Sequence, residues 1–174
     1  MKYLVKFIVV TLFCISCTFA NAEQKIVILD LTYILNDSKA GKGAQDFLKK
    51  SFENNAKKFQ DMEKDLKNEE TDLLDMKNTL SKEDYKKRSD KLRKKVINYQ
   101  ANRRTSLEKL TTIRAESRKT LIEKIEPILN EYIKSNDISL VIDKKSTLGG
   151  NPDEDITKII IEKLNKELPS LNLK

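Results

Sequence analysis

The chain has 174 residues, of which 35% are charged and 39% hydrophobic, and its formal net charge is +7. It contains no histidine and only four glycines, so a histidine general base, histidine metal ligands and a glycine-rich phosphate loop are all excluded. We therefore expect a protein that is not an enzyme and that binds no cofactor and no metal.

The first 22 residues are predicted to be a cleaved signal peptide. Two lysines precede an apolar run over 7–19, and Ala20-Asn21-Ala22 fits the small-x-small cleavage rule. The run is too short for a membrane span, which needs about 20 residues. An uncleaved N-terminal anchor is the alternative. Both cysteines lie in this segment, so the mature chain, 23–174, must be held together by packing or by oligomerisation.

A β-type segment lies on each side of a long helical stretch. Residues 25–29 come before it and residues 138–142 come after it. The stretch itself, 37–136, contains only two glycines and Pro127 as helix breakers. The pattern predicts a helical excursion that leaves a small sheet and returns to it, which is typical of an arm. Pro127 should kink the returning helix where it enters the base.

The arm is predicted to be an antiparallel helical hairpin over 46–126. Its first helix, 46–80, should be about 50 Å long at 1.5 Å per residue. Apolar residues recur in it at a spacing of seven, as in a coiled coil. This seam consists of Phe52, Phe59, Leu66, Leu73 and Leu80. The tip should lie near 78–84. Ser81 can cap the second helix there, and Asp84 supplies the carboxylate three residues later that completes a capping box.

Positive charge gathers just beyond the predicted turn. Solubility, together with pairing to the acidic first helix, is one explanation, and attraction of an anionic surface or an acidic chain is the other. We take the cluster as the candidate binding surface of the arm tip. It consists of Lys82, Lys86, Lys87, Arg88, Lys91, Arg93, Lys94 and Lys95.

The two ends of the mature chain, 23–45 and 127–174, are predicted to form an association domain. Asn151 can cap a last helix with Pro152 in its first position. This helix has apolar surface but little compact core to receive it, and a two-stranded sheet is marginal alone. Copies of the same chain should supply the missing core. The predicted oligomerisation core consists of Ile26, Val27, Ile28, Leu29, Leu140, Val141, Ile142, Ile156, Ile159, Ile160 and Leu164. The fold class is thus mainly α with a small β-body.

The residues at both ends resemble the Skp/OmpH family of periplasmic chaperones. Lys25–Ser38 followed by Lys39–Ala44 resembles the opening of that family, and Asn136–Asp143 and Asp155–Thr157 resemble its closing part. The resemblance implies a homotrimer with a β-barrel body and three helical arms around a cavity. It also implies a protein of the Gram-negative periplasm that holds unfolded outer-membrane proteins without ATP and delivers them for membrane insertion. Contact of the arm tips with an anionic membrane surface would fit this role.

Two other classes of protein remain open from the residues. One is a structural or adhesive coiled coil of the cell envelope, which would bind native components rather than unfolded chains. The other is a protein that binds an anionic polymer. We expect no nucleic-acid partner, because the chain offers no aromatic stacking platform and no base-reading motif.

Overall fold

The computed structural model describes residues 24–173, which fold mainly into helices with one small sheet, as the sequence predicts. The predicted signal peptide lies outside these residues. The strands and α-helices in chain order are β1 (Lys25–Leu29), α1 (Leu31–Asp37), α2 (Lys39–Asp75), α3 (Lys82–Ser135), β2 (Ile138–Asp143) and α4 (Thr157–Glu167). Short 3-10 turns occupy Met76–Asn78, Lys144–Ser146 and Pro152–Glu154.

The two strands pair in parallel, because α2 and α3 carry the chain away from the end of β1 and back to the start of β2. Ile26 lies opposite Leu140 and Val27 opposite Val141, with an irregularity in register just before Ile26. On its other edge β1 makes an isolated bridge to Asp155. Side chains alternate between the two faces of a strand, so this register buries Val27 and leaves Ile26 and Leu140 on the outer face.

A hydrophobic core lies behind the inner face of the sheet. It includes Ile34 of α1, Leu121 and Ile125 of α3, and Ile160 and Leu164 of α4. Ile160 and Leu164 are fully buried within their own chain. The expectation that the chain has little core to receive its last helix is therefore wrong. The physical reason is that α1 and the final third of α3 close over α4.

The start of α2 depends on a close approach of backbone to backbone. The helix begins at Lys39, seven residues earlier than predicted, because the buried Ser38 hydroxyl accepts a hydrogen bond from the Gly41 N–H at 3.2 Å. A Cβ atom on Gly41 would overlap the carbonyl oxygen of Leu35 and would lie 2.9 Å from the Leu35 carbonyl carbon. Glycine is thus required for the end of α1 to lie against the first turn of α2.

The turn between α2 and α3 lies at residues 76–81, since α2 ends at Asp75 and α3 begins at Lys82. Ser81 caps α3, since its hydroxyl accepts from the Asp84 N–H at 3.1 Å and donates to the Asp84 carboxylate at 2.6 Å. α3 then runs for 54 residues, passing through Pro127 without ending there. The predicted domain boundary at 126/127 therefore lies inside one helix. The kink predicted at Pro127 stays a prediction.

The last helix begins later than its local sequence suggests. Asn151 does cap, with its side chain accepting from the Asp153 N–H at 3.1 Å, but it caps only a 3-10 turn. The chain is then drawn to the edge of β1, where the Ile156 N–H donates to the Ile28 carbonyl at 3.0 Å. Strand pairing prevents a helix at these residues, so α4 starts at Thr157.

Candidate functional site

The two long helices, α2 and α3, lie side by side and antiparallel, with an aromatic contact near their middle. The rings of Phe59 and Tyr99 meet edge to face, with centroids 6.0 Å apart and planes at 73°. The Tyr99 hydroxyl donates to the Glu63 carboxylate at 3.2 Å. Both residues are buried, at 6% and 9% exposed, so the two helices pack closely at this point. We refer to it as the aromatic contact.

The predicted seam is only partly enclosed. Phe59 is 6% exposed, and Leu66, Leu73 and Leu80 are half-buried between the helices. Phe52 is 57% exposed and does not join the seam. Phe52 instead lines an open cleft between α2 and α3, where Leu107 of α3 is also 47% exposed.

This cleft has a volume of about 890 Å³ and lies between α2 and α3, from the aromatic contact to the core. We name it the base cleft. Its apolar wall includes Leu48, Phe52, Leu107 and Leu110, and the buried Leu35 and Leu121 lie at its inner end. The sequence does not reveal this cleft, because a heptad pattern indicates which face is apolar but not how far apart two helices lie. On the other side of the aromatic contact, nearer the turn, lies a second opening of about 750 Å³.

All eight residues of the predicted basic cluster lie on the first four turns of α3 and are exposed. Lys95 pairs with Glu69 of α2, and the Arg88 guanidinium lies 3.2 Å from the Met76 sulfur. Within residues 24–173, Lys95–Glu69 is the only ion pair that joins α2 to α3. Pairing with the acidic helix therefore accounts for one cation of the eight. The other seven keep their charge facing solvent at the turn end of the pair.

Exposed apolar side chains accompany these cations. Leu74 is 57% exposed and Met76 is 38% exposed, both at the end of α2 next to the turn. Ile97 is 56% exposed on α3, two residues beyond Lys95. The turn end thus presents positive charge and scattered apolar surface together, without an enclosed pocket shaped for one ligand.

The predicted oligomerisation core divides into two groups. Val27, Leu29, Ile156, Ile160 and Leu164 are buried inside their own chain. Ile28, Val141 and Ile142 are half-buried, while Ile26, Leu140 and Ile159 are 42%, 52% and 40% exposed. Ile161, which sequence reasoning missed, is 8% exposed. The spacing of Thr157, Ile160, Ile161 and Leu164 carries the helical signal that could have found it.

Ion pairs in the base fix its loops. Lys42 pairs with Asp37 at 2.7 Å, and this hydrogen bond lowers the pKa of Asp37 and raises that of Lys42. Lys144 pairs with Asp155 at 2.7 Å. Burial raises the pKa of Asp155, but hydrogen bonds from Lys144 and Thr157 outweigh it, so the pKa lies below its usual value. These pairs hold the ends of α1 and α4 and form no constellation suited to catalysis.

The described part of the chain contains no helix long and apolar enough to cross a membrane. In the same residues, no three side chains of the histidine, cysteine, aspartate or glutamate type come together as metal ligands would. What residues 24–173 present is a packed base, a long helical pair and a basic turn end.

This arrangement belongs to a known class, that of the OmpH-like proteins. The family model described as "Outer membrane protein (OmpH-like)" matches residues 25–164, and the chain belongs to this family. The family is one of chaperones, not of enzymes. The family assignment suggested by the terminal motifs is thus confirmed.

Two relatives illustrate the similarity. A Skp-like protein of Pseudomonas aeruginosa is 25% identical over 166 residues, which covers 95% of this chain and 99% of the relative. A solved structure from Caulobacter crescentus CB15, of a protein proposed to be an OmpH-like outer membrane chaperone, superposes with a TM-score of 0.80. The match covers 90% of this chain and 93% of that one. Because the two sequences are only 16% identical, this similarity shows that the fold is shared and no more.

Proposed function

We propose that this protein is an ATP-independent holdase of the periplasm, which binds unfolded outer-membrane proteins, prevents their aggregation and delivers them for membrane insertion. The observation that carries the proposal is the turn end of the α2–α3 pair. Seven exposed cations that have no ion-pair partner among residues 24–173 lie there beside Leu74, Met76 and Ile97. Such a surface suits many weak contacts with varied chains rather than one shaped ligand.

Unfolded barrel proteins are a physically sensible partner for this surface. Their strands alternate apolar and polar side chains and aggregate when their edges are unpaired. Cations at the turn end attract acidic stretches of such chains over about 10 Å at ordinary ionic strength. The exposed apolar side chains then cover part of the client that would otherwise associate. The same cations favour contact with an anionic membrane surface at the moment of delivery.

We infer that the working form is an oligomer, and the resemblance to the Skp/OmpH family implies that it is a homotrimer. The outer face of the sheet carries Ile26 and Leu140, which are neighbours across the strands and about half exposed. An exposed apolar sheet face and an open strand edge are favourable surfaces for association between copies. Mature protein, 23–174, should therefore have three times the chain mass by light scattering.

A purified periplasmic sample should begin at Glu23.

Client holding is tested by diluting an unfolded outer-membrane barrel protein from urea with and without the mature chain. A molar excess of trimer should suppress light scattering by the barrel protein and should bind to it in gel filtration. Unchanged scattering would contradict the proposal. Binding to native envelope components but not to unfolded chains would favour a structural coiled coil instead.

The role of the basic cluster is tested with charge reversal. The tip variant changes Lys86, Lys87, Arg88 and Lys94 to Glu and leaves the Lys95–Glu69 pair intact. The control variant changes four exposed lysines elsewhere, Lys109, Lys124, Lys158 and Lys166, and so has the same net charge. The tip variant should capture client less well than the control, most clearly at low salt. Equal losses would show that only net charge matters, and no loss in either would show that the cluster serves solubility alone.

A further inference from the structure

The base cleft has the features of a binding site rather than of a packing defect. It is lined on one side by α2 and on the other by α3, and its volume of about 890 Å³ is in the range of small-molecule sites. Phe52 and Leu107 remain 57% and 47% exposed there, so the cleft has apolar surface that the chain itself does not cover. The aromatic contact at one end and the core at the other hold the helices at their spacing.

Two guanidinium groups line the same cleft. Arg114 and Arg118 are four residues apart on α3, so they lie on one face of the helix, where like charges repel. Neither forms an ion pair within residues 24–173. Lys49 adds a third cation to the lining and Asp46 is its one carboxylate. The charge of the lining is therefore net positive and complements an anion.

The shape of the cleft selects among anionic ligands. Its lining on α3 runs from Leu107 to Leu121, about 20 Å at 1.5 Å per residue. Both walls are helices, whose backbone groups are hydrogen-bonded internally, so the cleft offers no strand edge to an extended peptide. A linear alkyl chain needs no such partners and can lie along Phe52, Leu107 and Leu110.

We propose that the base cleft binds a long-chain fatty acid, with its alkyl chain along the apolar wall and its carboxylate at Arg114 and Arg118. A guanidinium can donate two parallel hydrogen bonds to a carboxylate, which fixes the head group. The site is separate from the basic cluster at the turn end, and the proposal does not depend on client holding.

The test is titration of the mature chain, 23–174, with hexadecanoate below its micelle concentration, followed by displacement of a fluorescent fatty acid and by calorimetry. One molecule should bind per chain. Binding of hexadecanoate should be at least about tenfold weaker in an R114Q/R118Q variant, because two charge-assisted interactions are lost. R104Q is the matched control, since Arg104 is on the same helix but pairs with Glu108 outside the cleft.

Two further measurements separate this proposal from a general affinity for amphiphiles. Hexadecanol, which lacks the charge, and hexanoate, which lacks the long chain, should each bind at least about tenfold more weakly. Thr111→Trp should fill the cleft from its exposed side and block binding, while circular dichroism checks that the fold is kept. Equal binding of hexadecanol or of hexanoate, or unchanged binding by the double arginine variant, would overturn the proposal. Absence of any binding would also overturn it.

Discussion

Gly41 offers the most direct test of how the base is built. The substitution Gly41→Ala adds one methyl group where the Leu35 carbonyl and the Ser38 hydroxyl already lie in contact distance. The obstacle is backbone, which cannot rotate away as a side chain does. The added methyl group therefore pushes α1 off the start of α2 and also crowds the Ser38 hydroxyl, which weakens the Ser38 cap.

The magnitude follows from three terms. Overpacking of a filled site costs about 1–3 kcal/mol, and a backbone obstacle favours the upper end of that range. Loss of the Ser38 cap costs about 1 kcal/mol. Alanine regains about 1 kcal/mol over glycine inside a helix. We therefore expect Gly41→Ala to lower the free energy of unfolding by about 2–3 kcal/mol.

Gly43 is the matched control, because it lies two residues further along the same helix and a Cβ there would meet nothing within 4 Å. Gly43→Ala should raise the free energy of unfolding by about 1 kcal/mol, since only the helix propensity changes. The two variants should thus differ by roughly 10 °C in melting temperature, at about 2–4 °C per kcal/mol for a chain of this size.

The assay is urea unfolding followed by far-ultraviolet circular dichroism. Both variants must be compared at one protein concentration, because association contributes to apparent stability. If Gly41→Ala is as stable as Gly43→Ala, α1 does not lie against the first turn of α2.

Five other substitutions test three separate features. Asp137 adopts a left-handed φ of 52° between α3 and β2. In urea titration, Asp137→Gly should therefore raise the free energy of unfolding by up to about 1 kcal/mol, while Asp137→Val should lower it. Equal stability of all three proteins would contradict a left-handed residue at this position. Phe59→Ala should lower the free energy of unfolding by about 3 kcal/mol and Phe52→Ala by less than about 1 kcal/mol, because only Phe59 is buried. Similar losses of melting temperature in the two variants would show that both residues are buried in the seam. Asp155→Asn should destabilise at neutral pH. The pKa of Asp155 is lowered on folding, so its stabilisation is present above the ordinary aspartate pKa and is lost as the pH falls through the folded value. The difference in unfolding free energy between the two proteins should therefore close in acid, and a difference that persists there would rule out the Lys144–Asp155 pair as its source.

Local patterns in the sequence locate features that depend on neighbours in the chain. The cap at Ser81, the two strands and the basic cluster beyond the turn all follow from residues within a few positions of one another. The start of α4 does not, because pairing of Asp155 with β1 overrides the helix signal of Asn151 and Pro152. A tertiary contact, and not the local sequence, therefore sets the first residue of α4.

The candidate site shows the same division. Heptad spacing identifies Phe52 as an apolar seam residue, but its exposure depends on the distance between α2 and α3, which the spacing does not contain. Likewise Ile159 and Ile161 lie on different sides of Ile160 on α4, and the structure buries Ile161 and exposes Ile159. Arg114 and Arg118 look like ordinary surface charge until the cleft brings apolar side chains beside them.

The parallel sheet has a consequence for the order of folding. β1 and β2 are neighbours in space but are separated by about a hundred residues of chain, so pairing them first would close a very large loop at a high entropic cost. Zipping of α2 onto α3 from the turn shortens that loop one helical turn at a time and delivers the start of β2 to the start of β1, where Ile138 lies opposite Lys25. The sheet should then be the last element to form, and a newly exported chain would carry a formed helical pair before it has an outer sheet face on which to meet its copies.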